Sequence, residues 1–269
     1  MNWTIRNIIL SFGAILILYI VGVLSLYIFI DSILFRTERT NNYNFTNSKR
    51  KEEVQISIPE QSVIYAALCK PTGKEKAMVL YLHGAQGNIN KHLGFCENFT
   101  SRGASVLIPD FRGFGKSSGS VTESSLNEDA ISAMEWIRKR YREDSIIIYA
   151  KDFSANAACY LASMLPCRFV VLENPVYSLR RWMRDRFPAL ALPYELKYDF
   201  NTYDYLPNSI SPVYILQSKS NANCSQSDAK KLQDLLKDPN TLIWLENNKN
   251  ESIYELEQFQ GALDQLFNF

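Results

Sequence analysis

Histidine is the scarcest chemistry-bearing residue in this chain. His83 and His92 are the only two in 269 residues, and none follows position 92. Any imidazole base must come from that pair, and metal ligation has no support, because no carboxylates cluster with them at ligand spacing. An excess of one charge is also missing. Lys and Arg number 29 against 28 Asp and Glu, a net charge of +1. No basic-aromatic stripe stands out, which excludes the footprint of a nucleic-acid binder. The five cysteines (Cys69, Cys96, Cys159, Cys167, Cys224) are scattered without a CxxC. Odd in number and unpatterned, they read as buried free thiols and tilt toward a reducing compartment. Gly-x-x-x-x-Gly-Lys is absent, so the glycine-bearing stretch 113–119 is a turn and no phosphate loop. Nothing calls for a metal or a cofactor.

What is present begins with a long apolar run. Ile8 to Ile30 contains no charged residue, and as a helix it extends about 34 Å, sufficient for a hydrocarbon core of about 30 Å. It is too long for a cleaved signal segment, and no small-residue cleavage site follows. The chain therefore divides into a flank (1–7), a transmembrane anchor (8–30), a polar, Asn-rich tether (31–53) and a soluble domain (54–269). Arg6 precedes the anchor, whereas Arg36, Arg39 and Lys49-Arg50-Lys51 follow it. That asymmetry leans slightly toward a cytoplasmic soluble domain, while the sequon Asn44-Phe45-Thr46 suits the opposite side. The side of the membrane stays open.

The soluble domain alternates strand and helix. Val54–Ile58 and Val63–Cys69 predict an opening hairpin. Met78–Leu82, Ala104–Ile108, Ile146–Ile148, Phe169–Leu172, Val213–Leu216 and Leu242–Leu245 are continuous apolar strands. Helical stretches lie between them, near 91–101, after a capping box at Ser125-x-x-Glu128, from Ser154, over 177–186, around Ala229–Leu236, and over 253–266. Strands of this kind alternating with helices imply a mostly parallel sheet covered on both faces, an α/β architecture.

The stretch from Ser145 to Ala158 organises the rest. A β-branched run is followed by a sharp turn and a small-residue helix, the shape that carries Gly-x-Ser-x-Gly. Here the five positions read Ala150, Lys151, Asp152, Phe153, Ser154. Both glycines are missing, and the centre is an aspartate.

Four motifs resemble the α/β-hydrolase superfamily, and in particular its membrane-anchored serine hydrolases with one amino-terminal helix. They are Leu80-Tyr81-Leu82-His83-Gly84-Ala85, the Pro109-to-Ser117 loop with Asp110-Phe111-Arg112-Gly113-Phe114-Gly115, the elbow itself, and Glu173-Asn174-Pro175. Tyr203-Asp204-Tyr205-Leu206 fits the lead into the strand that presents the family's acid. The resemblance implies the α/β-hydrolase fold from about Val54 onward, with His83, Gly84, Ala85 and Phe153 around the oxyanion hole and pocket. Carried over position by position, the triad serine, acid and histidine fall on Asp152, Asn221 and Asn250. Asn250 accepts no proton near neutral pH, and general-base catalysis is commonly worth about 10²–10⁴-fold.

Two readings follow from the resemblance. The first is a membrane-tethered, non-catalytic hydrolase-fold protein that keeps its pocket for an acyl ligand or a protein partner. The alternative is an active hydrolase of an ester or other acyl substrate with Asp152 as nucleophile, as in the dehalogenase-like branch; that route still needs a histidine to activate water. His83 reads as structural, with recruitment as a base for Asp152 the alternative, since both lie at the carboxyl ends of neighbouring strands; His92 reads as an exposed helix-start residue, and Ser154 as a helix residue facing away from the hole. Membrane lipid is the partner implied by the apolar segment. The basic, bulky segment Arg180 to Tyr198 is either a lipid-facing cap over the pocket or a plain cap helix with a solvated face.

Overall fold

The structure, a computed structural model, describes residues 3–45, 50–59, 62–188, 196–221, 224–238, 241–247 and 252–268. Its central strands form because they are apolar at nearly every position. β4 (Ala77–Leu82), β6 (Ala104–Pro109) and β8 (Phe169–Glu173) are buried along their whole length, and β7 (Ile146–Lys151) is buried except at Lys151. Alternate residues feed two separate cores. Met78, Leu80, Leu82, Ile146 and Ile148 enter one, whereas Val79, Tyr81, Ile147 and Tyr149 enter the other. Each such side chain contributes about 1.5–3 kcal/mol on leaving water, so a strand fed from both faces is stable only in the middle of the sheet.

Among the described residues the main sheet has eight strands, in the order β10 (Leu242–Leu245), β9 (Val213–Ser218), β8, β7, β4, β6, β3 (Ser62–Cys69) and β2 (Lys51–Ile58). β4 pairs in parallel with β6 and β7, and β8, β9 and β10 continue in parallel on one side. β3 and β2 form the antiparallel edge. Helices α4 (Glu123–Arg138) and α5 (Ser154–Met164) pack on the first core through Leu126, Met134 and Leu161. Helix α7 (Glu257–Leu266) covers the second through Phe259 and Leu263. This is the α/β-hydrolase fold.

Three expectations shift in detail. The helix over 91–101 is two short turns, α2 (Ile89–His92) and α3 (Glu97–Thr100), separated by a turn containing Gly94. The capping box lies three residues earlier than Ser125-x-x-Glu128. Thr122 is the cap, its hydroxyl accepts from Ser125 N, and Ser125 Oγ accepts in return from Thr122 N. Glu128 is instead drawn to Arg112, whose guanidinium also grips the buried Asp129. Charge pairing outcompetes the local cap, because that bond is charge-assisted.

The third concerns the amino terminus. Helix α1 (Trp3–Leu34) is long and apolar enough to cross a membrane, with a mean hydropathy of 2.6, and is the one such helix among the described residues. Its middle is bare, but Ile30, Leu34 and the following Phe35 are buried in the first core. The tether expected over 31–53 is therefore docked wherever it is described. Asp31 meets Lys197 and the Tyr198 hydroxyl. β1 (Arg36–Thr37) pairs in parallel with β5 (Gln86–Gly87), Arg39 donates to Ser117 O, and Tyr43 donates to Asp110 at 2.7 Å. Lys51 to Glu53 already belong to β2, three residues before the expected boundary at Val54. Composition alone hid the docking, since most of the attachment is backbone pairing and two aromatic rings.

Gly115 shows why the loop after β6 needs its glycines. Its φ is +50°, and a Cβ there would overlap the Asp110 carboxylate and lie 2.8 Å from the Tyr43 hydroxyl. The loop can close over Asp110 only without a side chain at that position.

Candidate functional site

β7 ends at Lys151 and α5 begins at Ser154, leaving Asp152 at the corner with φ +52°. Aspartate tolerates this left-handed region better than most residues. Neighbouring strands hold it there: Asp152 N donates to Glu173 O at 3.0 Å, and its carbonyl accepts from Ala155 N at 3.3 Å and Val176 N at 3.4 Å. The side chain leans over Gly84, where an added Cβ would stand 2.9 Å from Asp152 Oδ2. The strained corner thus survives without its flanking glycines, because Ala150 is small enough for the core and Ser154 turns inward. Ser154 Oγ donates to His83 O at 2.5 Å, facing away from the cleft as expected.

A cleft of about 690 Å³ opens above this corner. Gly84, His92, Lys151, Asp152, Asn221 and Tyr254 are among its lining residues. A second cavity of about 260 Å³ shares Asp152 and adds Ala85, Phe153, Trp182, Arg186 and, from the end of α1, Leu34. Phe153 is stacked edge-on against Trp182 of α6 (Leu179–Arg186) at 5.3 Å. That helix therefore caps the mouth. Residues 189–195 of the basic segment lie outside the described residues, as does Asn250.

The structure brings Asp152, Asn221 and Gly84 into one cleft, with Ala85 and Phe153 in the adjoining cavity. Asn221 is a loop residue: its Oδ1 accepts from Cys224 N at 2.8 Å. Between the loops after β9 and β10, Ser218 Oγ donates to Asn247 Oδ1 at 2.6 Å, a neutral contact.

Both imidazoles are engaged away from Asp152. His83 is fully buried; its Nδ1 donates to Gly84 O at 2.7 Å, and its Nε2 lies 3.3 Å from Asp110 Oδ1. His92, read as exposed, is instead half-buried and stacked on His83 with ring centroids 4.8 Å apart. Because a carbonyl only accepts, His92 Nε2 donates to Gln86 O at 3.3 Å, and Nδ1 accepts from the Tyr81 hydroxyl at 3.2 Å. Burial, reinforced by the neighbouring His83, pulls the His92 pKa down to about 3. It is neutral at any physiological pH and a weak base.

Beside Asp152 lies a charged network that residue spacing did not reveal. Glu173, fully buried at the end of β8, accepts from the Tyr149 hydroxyl at 2.7 Å and the Tyr254 hydroxyl at 3.0 Å, and Lys151 Nζ stands 3.1 Å from it. Lys151 also donates to Tyr254. Burial alone would lower the Lys151 pKa, but Glu173, Tyr81 and Asp152 more than offset it and the net direction is upward. Burial pushes Asp152 up to about 6, with Lys151 opposing and Glu173 adding to the rise. Lys151 and Glu173 were read as members of the elbow and of Glu173-Asn174-Pro175 without a charge pair between them, and Tyr254 lies 103 positions from Lys151.

Fold and site together place the chain in the α/β-hydrolase superfamily. Residues 73–258 match the family model described as serine aminopeptidase, S33 (Hydrolase_4), and the chain belongs to that family. It is similar to alpha/beta hydrolase domain-containing protein 17B of Homo sapiens, 26% identical over 201 residues that cover 74% of this chain and 68% of that protein. Lysophosphatidylserine lipase ABHD12 of Gallus gallus is 26% identical over 144 residues, 51% of this chain but only 38% of its own length. Among solved structures, an esterase of Pyrococcus furiosus, Pf2001, superposes with a TM-score of 0.69 at 16% identity, over 87% of this chain and 97% of that one. At that identity the likeness is one of fold.

Proposed function

We propose that this chain is a membrane-anchored α/β-hydrolase-fold protein that binds an acyl-type ligand in its cleft without hydrolysing it. One observation carries the reading: Asp152 occupies the elbow, and the hydrogen bonds of His83 and His92 tie both imidazoles to other groups. An ester formed on an aspartate needs a base to activate the water that resolves it. The chain holds no third histidine to supply one, and asparagines stand at the acid and histidine positions inferred from the resemblance. Relatives named as an esterase and a lipase support an acyl ligand over other classes. The bare apolar flank of α1 supports an anchor in membrane lipid, and the cavity that shares Leu34 with Asp152 sets the cleft beside the end of that helix.

The test uses the purified full chain in detergent, offered a fluorophosphonate probe and p-nitrophenyl esters of several chain lengths. Neither labelling nor turnover is expected, and Asp152→Asn is expected to match the wild type. Ester turnover that disappears in Asp152→Asn would establish the opposite reading, a hydrolase with Asp152 as nucleophile.

A further inference from the structure

The five cysteines are all buried, but they do not share one environment. Cys167 and Cys224 behave as packed thiols: their sulfurs lie 3.5 Å from Phe169 O and 3.7 Å from Ser225 O. Cys69 and Cys96 meet each other instead, with Sγ to Sγ at 2.7 Å. Sulfur is a larger atom than oxygen, so two unbonded thiols should stand farther apart than a thiol and a carbonyl. This pair stands closer. The separation lies between non-bonded contact and a covalent S–S bond of about 2.05 Å.

The backbone fixes both partners. Cys69 is the last residue of β3, held opposite Lys51 on one side and Val106 on the other. Cys96 has helical backbone angles and caps α3. Each is 1% exposed, in the core cluster that also contains Val79, Phe95 and Phe99.

We infer that Cys69 and Cys96 form a disulfide bridge. The oxidant is a disulfide-carrying thiol compound, such as glutathione disulfide or a dithiol oxidase. The Cys69 thiolate attacks it and forms a mixed disulfide, releasing one thiol. The Cys96 thiolate then attacks the Cys69 sulfur, the intramolecular S–S bond forms, and the second thiol leaves. Two electrons and two protons pass to the oxidant. Because both sulfurs are shielded in the folded domain, exchange takes place as the chain folds. The bridge closes a loop of 27 positions that carries β4, His83, Gly84, Ala85 and His92. It therefore braces one wall of the candidate site, and the scattered cysteine spacing conceals a single cross-link.

The experiment unfolds the purified full chain and refolds it into detergent in a glutathione mixture poised as in a secretory compartment. The sample is then acid-quenched, denatured, alkylated and weighed. Three of the five cysteines are expected to alkylate, the unalkylated mass falls by two hydrogens, and digestion yields one peptide pair joined through Cys69 and Cys96. Reduction is expected to lower the melting temperature by about 10 °C. Cys159→Ser leaves the bridge intact, whereas Cys96→Ser abolishes both the joined peptide and the response to reductant. Alkylation of all five cysteines in the wild-type chain, which needs no variant to fold, overturns the inference.

Discussion

Lys151 Nζ lies 3.1 Å from Glu173 Oε1, where the ends of β7 and β8 stand in register and one residue before Asp152. The pair neutralises itself through that contact and through Tyr254, which touches both. Little of the Lys151 charge is left to stabilise an anion at Asp152, which explains why burial governs that carboxyl.

Glu173→Gln is expected to destabilise the domain by about 2–3 kcal/mol, because it leaves the Lys151 ammonium without its buried counter-charge. Partial exposure of Lys151, 25% at the side chain, keeps the loss below that of a fully buried orphan. The double variant Lys151→Met with Glu173→Gln should recover part of it. Urea midpoints of the three proteins in detergent check this, and equal midpoints for Glu173→Gln and wild type would contradict it.

Asp152 predicts a pH dependence with a defined sign. Its folded pKa, about 6, lies above the ordinary 3.8. The carboxyl therefore favours the folded state below about pH 4, and that contribution is lost as pH rises through 6. Asp152→Asn does not titrate. Relative to wild type it should gain about 1–2 kcal/mol between pH 4.5 and 7.5, the value discounted for water in the cleft. Melting curves at the two pH values read the difference, and a constant offset would refute the shift.

Docking of α1 rests on apolar contact more than on its ion pair. Phe35 is 5% exposed and packs edge-on against Tyr198 and Phe200, so Phe35→Ala should cost about 3 kcal/mol. Asp31→Ala removes a half-exposed bridge to Lys197 and should cost about 1 kcal/mol or less. Thermal melts of the full chain in detergent should therefore fall several times further for Phe35→Ala. The reverse order would mean that charge holds the helix.

The parallel core was legible because strands such as β7 are apolar at successive positions over 146–150, a signal that needs no partner to be read. Asp152 at the elbow was legible because a strand, a corner and a small-residue helix are local. The docked segment after Leu34 was not, since Arg36 and Thr37 attach through backbone groups that every residue possesses. The cap expected at Ser125 instead falls at Thr122, and Glu128 pairs with Arg112 across 16 positions. His92 looked exposed because its cover, Tyr81 of β4 and His83 just after it, comes from outside its own helix.

Residue order by itself determined the α/β class, the apolar helix, the aspartate at the corner and the shortage of histidine, all properties of local pattern or of simple count. Only the tertiary structure decided which way each imidazole points, that Glu173 gathers Lys151, Tyr149 and Tyr254 around one carboxylate, and that two cysteines meet across 27 positions. Those outcomes depend on strand register and on burial, which bring together groups remote in the chain and set the dielectric around them.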